Sequence, residues 1–222
     1  MRAVSLDSVL ALGFLLGLRH AMEADHLAAI STIVTKRRSL LSSSLVGALW
    51  GLGHTLALLI AGVGVLLLRY QMTDRMAHVF ELCVGIMLVV LGADVLRTLV
   101  RRGARHTHEH TAVVPHSHTD GWLVSRPLLV GMVHGLAGSA PLLLLTLTVM
   151  SSPLAAFSYI AVFGVGSMMG MTIMSLLVGV PARLTMQFAR TNLALRGLSG
   201  LFSVGLGVFI VYQNAVLYRL VV

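Results

Sequence analysis

Six apolar runs, each about 25–30 residues long, decide what this chain can fold into. They lie at about 5–34, 42–68, 76–100, 126–150, 154–180 and 194–218, and about 20 apolar residues suffice to cross a bilayer. In hydrocarbon no water satisfies a backbone N–H or C=O, so an open strand is excluded and each run reads as a helix. The expected fold is an all-α integral membrane protein with six transmembrane helices. Charged residues make up 11% of the chain, against about 25% in soluble domains. Residues 1–222 therefore read as a single transmembrane domain with no separate soluble one. The first run is too long, and lacks the basic start and small-residue cleavage site, to be a signal peptide. Thirty residues at about 1.5 Å each cover about 45 Å, against a core of about 30 Å. That helix must tilt, protrude or break.

The formal charge of +8 does not point to nucleic acid. Eleven of the sixteen cations fall in alternate connections: Lys36, Arg37 and Arg38; Arg97, Arg101, Arg102, Arg105 and Arg126; Arg183, Arg190 and Arg196. The positive-inside bias then puts connections one, three and five in the cytoplasm and both termini outside the cell inner membrane. Cys83 is the single cysteine, so no disulfide framework exists.

The two halves share a pattern. Gly17-x-x-His20-x-x-x-x-Asp25 matches Gly131-x-x-His134-x-x-x-x-Ser139 at an offset of 114 residues, and Gly51-x-Gly53-His54 matches Gly164-x-Gly166-Ser167 at 113. Three spans per half imply a 3+3 inverted repeat, as in many secondary transporters. Repeat 1 covers about 1–100 and repeat 2 about 126–222, with a His-rich loop at about 101–125 between them. Gly47/Gly51, Gly131/Gly135 and Gly166/Gly170 stand at the spacing that lets helices approach closely.

Ionisable residues inside a membrane helix are expensive and mark function. The first run holds Arg19, His20, Glu23, Asp25 and His26. Arg19 and Glu23 stand at i,i+4 and can neutralise each other. Asp25 then remains with two histidines, which suggests a metal ion. On a regular helix Asp25 lies about 140° from His20 and His26 about 120° away on the other side. They converge on one ion only if the helix is unwound near Ala21–Ala24, or if other helices fill the gap. His54 and His134 supply further imidazoles, so the expected metal ligands are His20, Asp25, His26, His54 and His134. Glu23, Ser139 and Ser167 stand as supporting residues. Mixed nitrogen and oxygen ligands favour Ni(II), Co(II) or Zn(II). Met168, Met169, Met171 and Met174 read as packing rather than thioether ligands. Glu81 and Asp94 read as interfacial, with proton relay as the alternative. His106, His108, His110, His116 and His118 form a short His-rich tract that reads as a cytoplasmic metal-capture arm.

His20-x4-Asp25-His26 resembles the signature helix of the nickel/cobalt transporter family. Leu52-Gly53-His54-Thr55 is similar to that family's second motif. The stretch Gly131-Met-Val-His134-Gly-Leu-Ala-Gly-Ser-Ala140 looks like its short six-helix branch, the urease-accessory H type. The resemblance implies Ni(II) or Co(II) transport, with metal bound at His20, Asp25, His26 and His54. Where longer members carry an acidic Gly-Phe-Asp-Thr-Ala-Thr-Glu motif, this chain has Val133-His134-Gly-Leu-Ala-Gly-Ser139. The expected function is a non-enzymatic secondary transporter with Ni(II) as substrate, Co(II) or Zn(II) as alternatives, and no organic cofactor. No nucleotide-binding Gly-rich loop is present. Export, or service as a membrane subunit of a larger uptake complex, fits the same residues. An intramembrane metalloenzyme fits less well, because His-Glu-x-x-His is absent. The expected partners are the metal ion and the lipid bilayer, with a second copy of the chain or a metal-delivery protein as further candidates.

Overall fold

The computed structural model describes residues 6–68, 73–104, 120–137 and 152–217. Among these the regular structure is helical: α1 Leu6–His20, α2 Ala24–Val34, α3 Leu40–Leu68, α4 Asp74–Ala104, α5 Asp120–Gly135, α6 Pro153–Leu184 and α7 Ala189–Tyr212. A 3-10 turn, Thr185–Gln187, joins α6 to α7, and a π turn, Gln213–Leu217, follows α7. Among the described residues four stretches are long and apolar enough to cross a membrane: Leu40–Gly64, Asp74–Arg101, Pro153–Gln187 and Ala189–Val216. Of the six expected spans, the first is interrupted and the fourth is described only to residue 137. The α5 helix begins at Asp120, earlier than the apolar run suggests. The start of α6 is set locally: Ser152 caps it, accepting from the Ala155 N–H at 3.2 Å, and Pro153 occupies the first turn.

The first run breaks after His20. The backbone tightens to i→i−3 bonds, Met22 N–H to Arg19 O (2.9 Å) and Glu23 N–H to His20 O (3.1 Å). Glu23 is extended, with φ −64° and ψ 151°, and starts α2. Neither glycine nor proline lies between His20 and Ala24. The charge order fits instead. Arg19 and His20 sit in the last turn of α1 and Asp25 in the first turn of α2, each beside the helix-dipole end of opposite sign.

Glycines fix the packing. Gly13 meets Tyr159, Gly17 meets Phe163 and Ser167, and Gly170 meets Leu18 and Ala21, so α1 and α6 run parallel. By the same contacts α3 runs parallel to α5 (Gly131 on Trp50, Gly135 on His54) and antiparallel to α6 (Gly47 on Met171, Gly51 on Met168). The α4 and α7 helices are antiparallel, with Gly92 against Gly200 and Gly85 against Gly207. Ser203 of α7 donates to the Leu88 carbonyl of α4 at 2.8 Å.

The α2 helix is the buried centre. Ala28, Ala29, Ile30 and Val34 have no exposed surface and pack with Val46, Trp50, Val84, Leu88 and Met171. Of the four methionines of α6, Met171 is core, Met168 and Met174 are half-buried and Met169 is exposed. The outer faces of α1, α4 and α7 present large aliphatic and aromatic side chains such as Leu15, Val90 and Phe209, as lipid contact demands. Cys83 is free and exposed on α4.

Candidate metal centre

Four histidines from four helices meet where α1 stops. His20 ends α1, His26 opens α2, His54 lies mid-way along α3 and His134 sits in the last turn of α5. Their ring centroids are 4.5 Å apart for His20–His26, 4.0 Å for His26–His134, 5.1 Å for His20–His54 and 5.6 Å for His26–His54. None is more than 6% exposed. The break after His20 removes the divergence that a regular helix would impose. The ring of His26 stands between those of His20 and His134.

Two carboxylates brace this cluster. Asp25 Oδ1 accepts from the His26 N–H at 2.8 Å and faces His26 Nδ1 at 3.1 Å. Its Oδ2 faces His134 Nε2 at 2.9 Å. Glu23 Oε2 faces His20 Nδ1 at 3.1 Å, so Glu23 pairs with His20 and not with Arg19 as its spacing suggested. An ionised carboxylate can only accept hydrogen bonds. The facing nitrogens therefore carry the protons, and the opposite nitrogens present lone pairs. Those opposite atoms, His20 Nε2, His26 Nε2 and His134 Nδ1, are buried without a hydrogen-bond partner, as are both ring nitrogens of His54.

Buried polar atoms are seldom left without partners, because the desolvation cost is then uncompensated. A cluster of them on imidazoles needs an electrophile or water. Among the described residues two groups bring one donor atom per residue within 4.8 Å of one another: His20, His26 and His54, and Asp25, His26 and His134. Two nitrogens bound at about 2.1 Å to one ion are separated by at most about 4.2 Å. Three donors around one ion stand closer still, about 3.4–3.6 Å apart in tetrahedral or trigonal sites, so the side chains must draw together to close either set.

Each expected ligand within the described residues lies in this cluster. Ser167 is wholly buried with an unpartnered Oγ, on α6 against Gly17. Ser139 and His106, His108, His110, His116 and His118 lie outside the described residues. Asp94 pairs with Lys36 at 2.6 Å, and Glu81 lies 3.8 Å from His78; both are far along α4 in sequence from the cluster. Sequence reasoning missed Trp50 and Phe163. The Trp50 ring stacks on His26 at 6.1 Å and approaches His134 at 5.7 Å, while Phe163 lies 5.7 Å from His20. A signal existed: each stands four residues before a paired motif position, His54 and Ser167.

Fold and site together define a helical membrane protein with an imidazole cluster buried at a helix break. The chain is 37% identical to the urease accessory protein UreH of Bacillus sp. (strain TB-90), over 97% of this chain and 96% of that protein. The chain belongs to the UreH family of urease accessory proteins. It is also 27% and 30% identical to the chloroplast proteins FOR GROWTH AND FERTILITY 2 and 1 of Arabidopsis thaliana, over 91% and 90% of its own length. It spans only 55% and 57% of those two proteins. No family model matches the chain, and no solved structure matches it.

Proposed function

We propose that the chain is a secondary transporter that carries a divalent transition metal ion, Ni(II) before Co(II) or Zn(II), across the cytoplasmic membrane. The observation that carries this reading is the set of buried, unpartnered nitrogens on His20, His26, His54 and His134. Imidazole suits Ni, Zn, Cu and Fe. Membership of the UreH family and the resemblance to nickel/cobalt transporters favour nickel among them.

His26 belongs to both candidate ligand groups. An ion held by His20, His26 and His54 can keep His26 while it exchanges another ligand for His134, whose ring Asp25 holds in place, without being released. The helix lengths support a site deep in the bilayer: α1 spans about 22 Å and α2 about 16 Å, against a core of about 30 Å.

The 3+3 inverted repeat is supported by reciprocal contacts. Gly17 on Phe163 has its counterpart in Gly131 on Trp50, and Gly53 on Leu128 in Gly166 on Phe14. Gly85 on Gly207 pairs with Gly92 on Gly200. Equivalent positions differ by 113 to 115 residues throughout. Rocking of one half against the other would open the site alternately to each side, with the His-rich loop delivering or collecting metal in the cytoplasm.

The test is uptake of radiolabelled nickel by liposomes holding only the purified protein. Wild type should accumulate it, and His26→Ala and His54→Ala should not. Binding without uptake would replace this reading by an accessory subunit. Lower cell nickel on expression would reverse the direction to export.

A further inference from the structure

A cavity of about 780 Å³ lies between α2, α4 and α5, away from the histidine cluster. Ile33, Met87, Val90, Leu91 and Val130 make its wall apolar, and Lys36, Arg37, Asp94 and Arg126 are the charged groups that line it. Val90 is 61% exposed, so the cavity opens on the outer face of the bundle, where lipid runs. Three cations there face one carboxylate. That carboxylate, Asp94, is engaged by Lys36 at 2.6 Å and interacts electrostatically with Arg126 as well. The Nε of Arg37 is buried with no hydrogen-bond partner. Burial first, and the Arg126 guanidinium second, lower the Arg37 pKa below its ordinary value.

We propose that this cavity is a binding site for one anionic phospholipid, its phosphate held by Arg37 and Arg126 and an acyl chain lying along Ile33, Leu91 and Val130. Guanidinium matches phosphate with paired, charge-assisted hydrogen bonds. Basic pockets between membrane helices hold anionic headgroups on the same physical grounds. A hydrated metal cation is repelled by the same lining, so the cavity is not a route for the ion. The apolar wall is what separates a lipid from a free anion: inorganic phosphate would leave it unfilled.

The experiment is native mass spectrometry of the purified full-length protein with dioleoylphosphatidylglycerol or dioleoylphosphatidylcholine. The glycerol lipid should bind one per chain and more tightly than the choline lipid. Arg37→Gln with Arg126→Gln should weaken it about 30-fold, the sum expected of two cations beside an anionic headgroup. Val130→Trp, which crowds the apolar wall where the acyl chain would lie and keeps both arginines, should also weaken it, and decides the matter if the double variant does not fold. Nickel titration should be unchanged in the double arginine variant, because neither arginine belongs to the histidine cluster. Equal retention of the two lipids, or phosphatidylglycerol binding indifferent to Val130→Trp, overturns the proposal. Displacement of the lipid by millimolar inorganic phosphate overturns it in favour of a free-anion site.

Discussion

Replacing Asp25 with asparagine tests the logic of the cluster with almost no change of shape. The carboxylate does two jobs with two oxygens: Oδ1 serves the His26 N–H and Nδ1, and Oδ2 faces His134 Nε2 at 2.9 Å. Asparagine keeps one oxygen. If that oxygen stays on the His26 N–H, the new NH2 points at His134 Nε2 and can only donate. His134 must then accept at Nε2 and carry its proton on Nδ1, the buried nitrogen that was free to bind metal. One imidazole leaves the ligand set although no atom has moved. Disturbing a carboxylate that orients a metal-binding histidine costs about 10–100-fold in affinity, or about 1.4–2.7 kcal/mol. Stability should change less than affinity, since each charge-assisted bond is replaced by a neutral one at about 1 kcal/mol. The assay is nickel titration calorimetry of the protein in lipid nanodiscs, with thermal melting as the control for folding. In a His134→Gln background Asp25→Asn should add little further loss, because the two residues act as one unit. Unchanged nickel affinity in Asp25→Asn would refute the reasoning. A loss that persists in full without His134 would make Asp25 a direct ligand instead.

Glycine contacts separate tolerant from intolerant sites. A methyl at Gly131 runs into the Trp50 carbonyl, whereas one at Gly64 or Gly205 meets nothing within 4 Å. Gly131→Ala should therefore destabilise by about 1–3 kcal/mol, and Gly64→Ala and Gly205→Ala should stabilise by up to about 1 kcal/mol, read by thermal melting; a destabilised Gly64→Ala would count against the packing described. Nickel binding should be complete near neutral pH and be lost on acidification, because a protonated imidazole cannot bind metal. Binding that no acidification weakens while the fold persists would argue against histidine ligands. Ser203→Ala removes the buried bond to the Leu88 carbonyl and should cost about 0.6 kcal/mol, up to about 1.7, as measured for hydrogen bonds between membrane helices; urea or SDS titration of folded protein would detect it.

Much of the site was legible in the chain. His20, Asp25, His26, His54 and His134 stood out because charged and imidazole groups are costly in apolar runs. The clash between their spacing and a regular helix left two ways to converge, a break near Ala21–Ala24 or ligands from other helices, and the structure has both. What spacing could not supply was the partner of each group. Arg19 and Glu23 have ideal i,i+4 spacing, yet α1 ends between them, so Glu23 swings to His20. Trp50 and Phe163 read as ordinary apolar residues until α3 and α6 set their rings against the histidines.

The sequence by itself determined a helical membrane protein, because long apolar runs leave the backbone no other way to satisfy its hydrogen bonds. It also determined which residues do not belong in lipid. Only the tertiary structure decided that they meet. Four helices converge where glycines let backbones touch, and no local rule encodes which glycine faces which carbonyl. Tertiary structure also decided which nitrogen of His20, His26 and His134 faces a carboxylate and which is left without a partner, because that depends on groups as many as 109 positions apart.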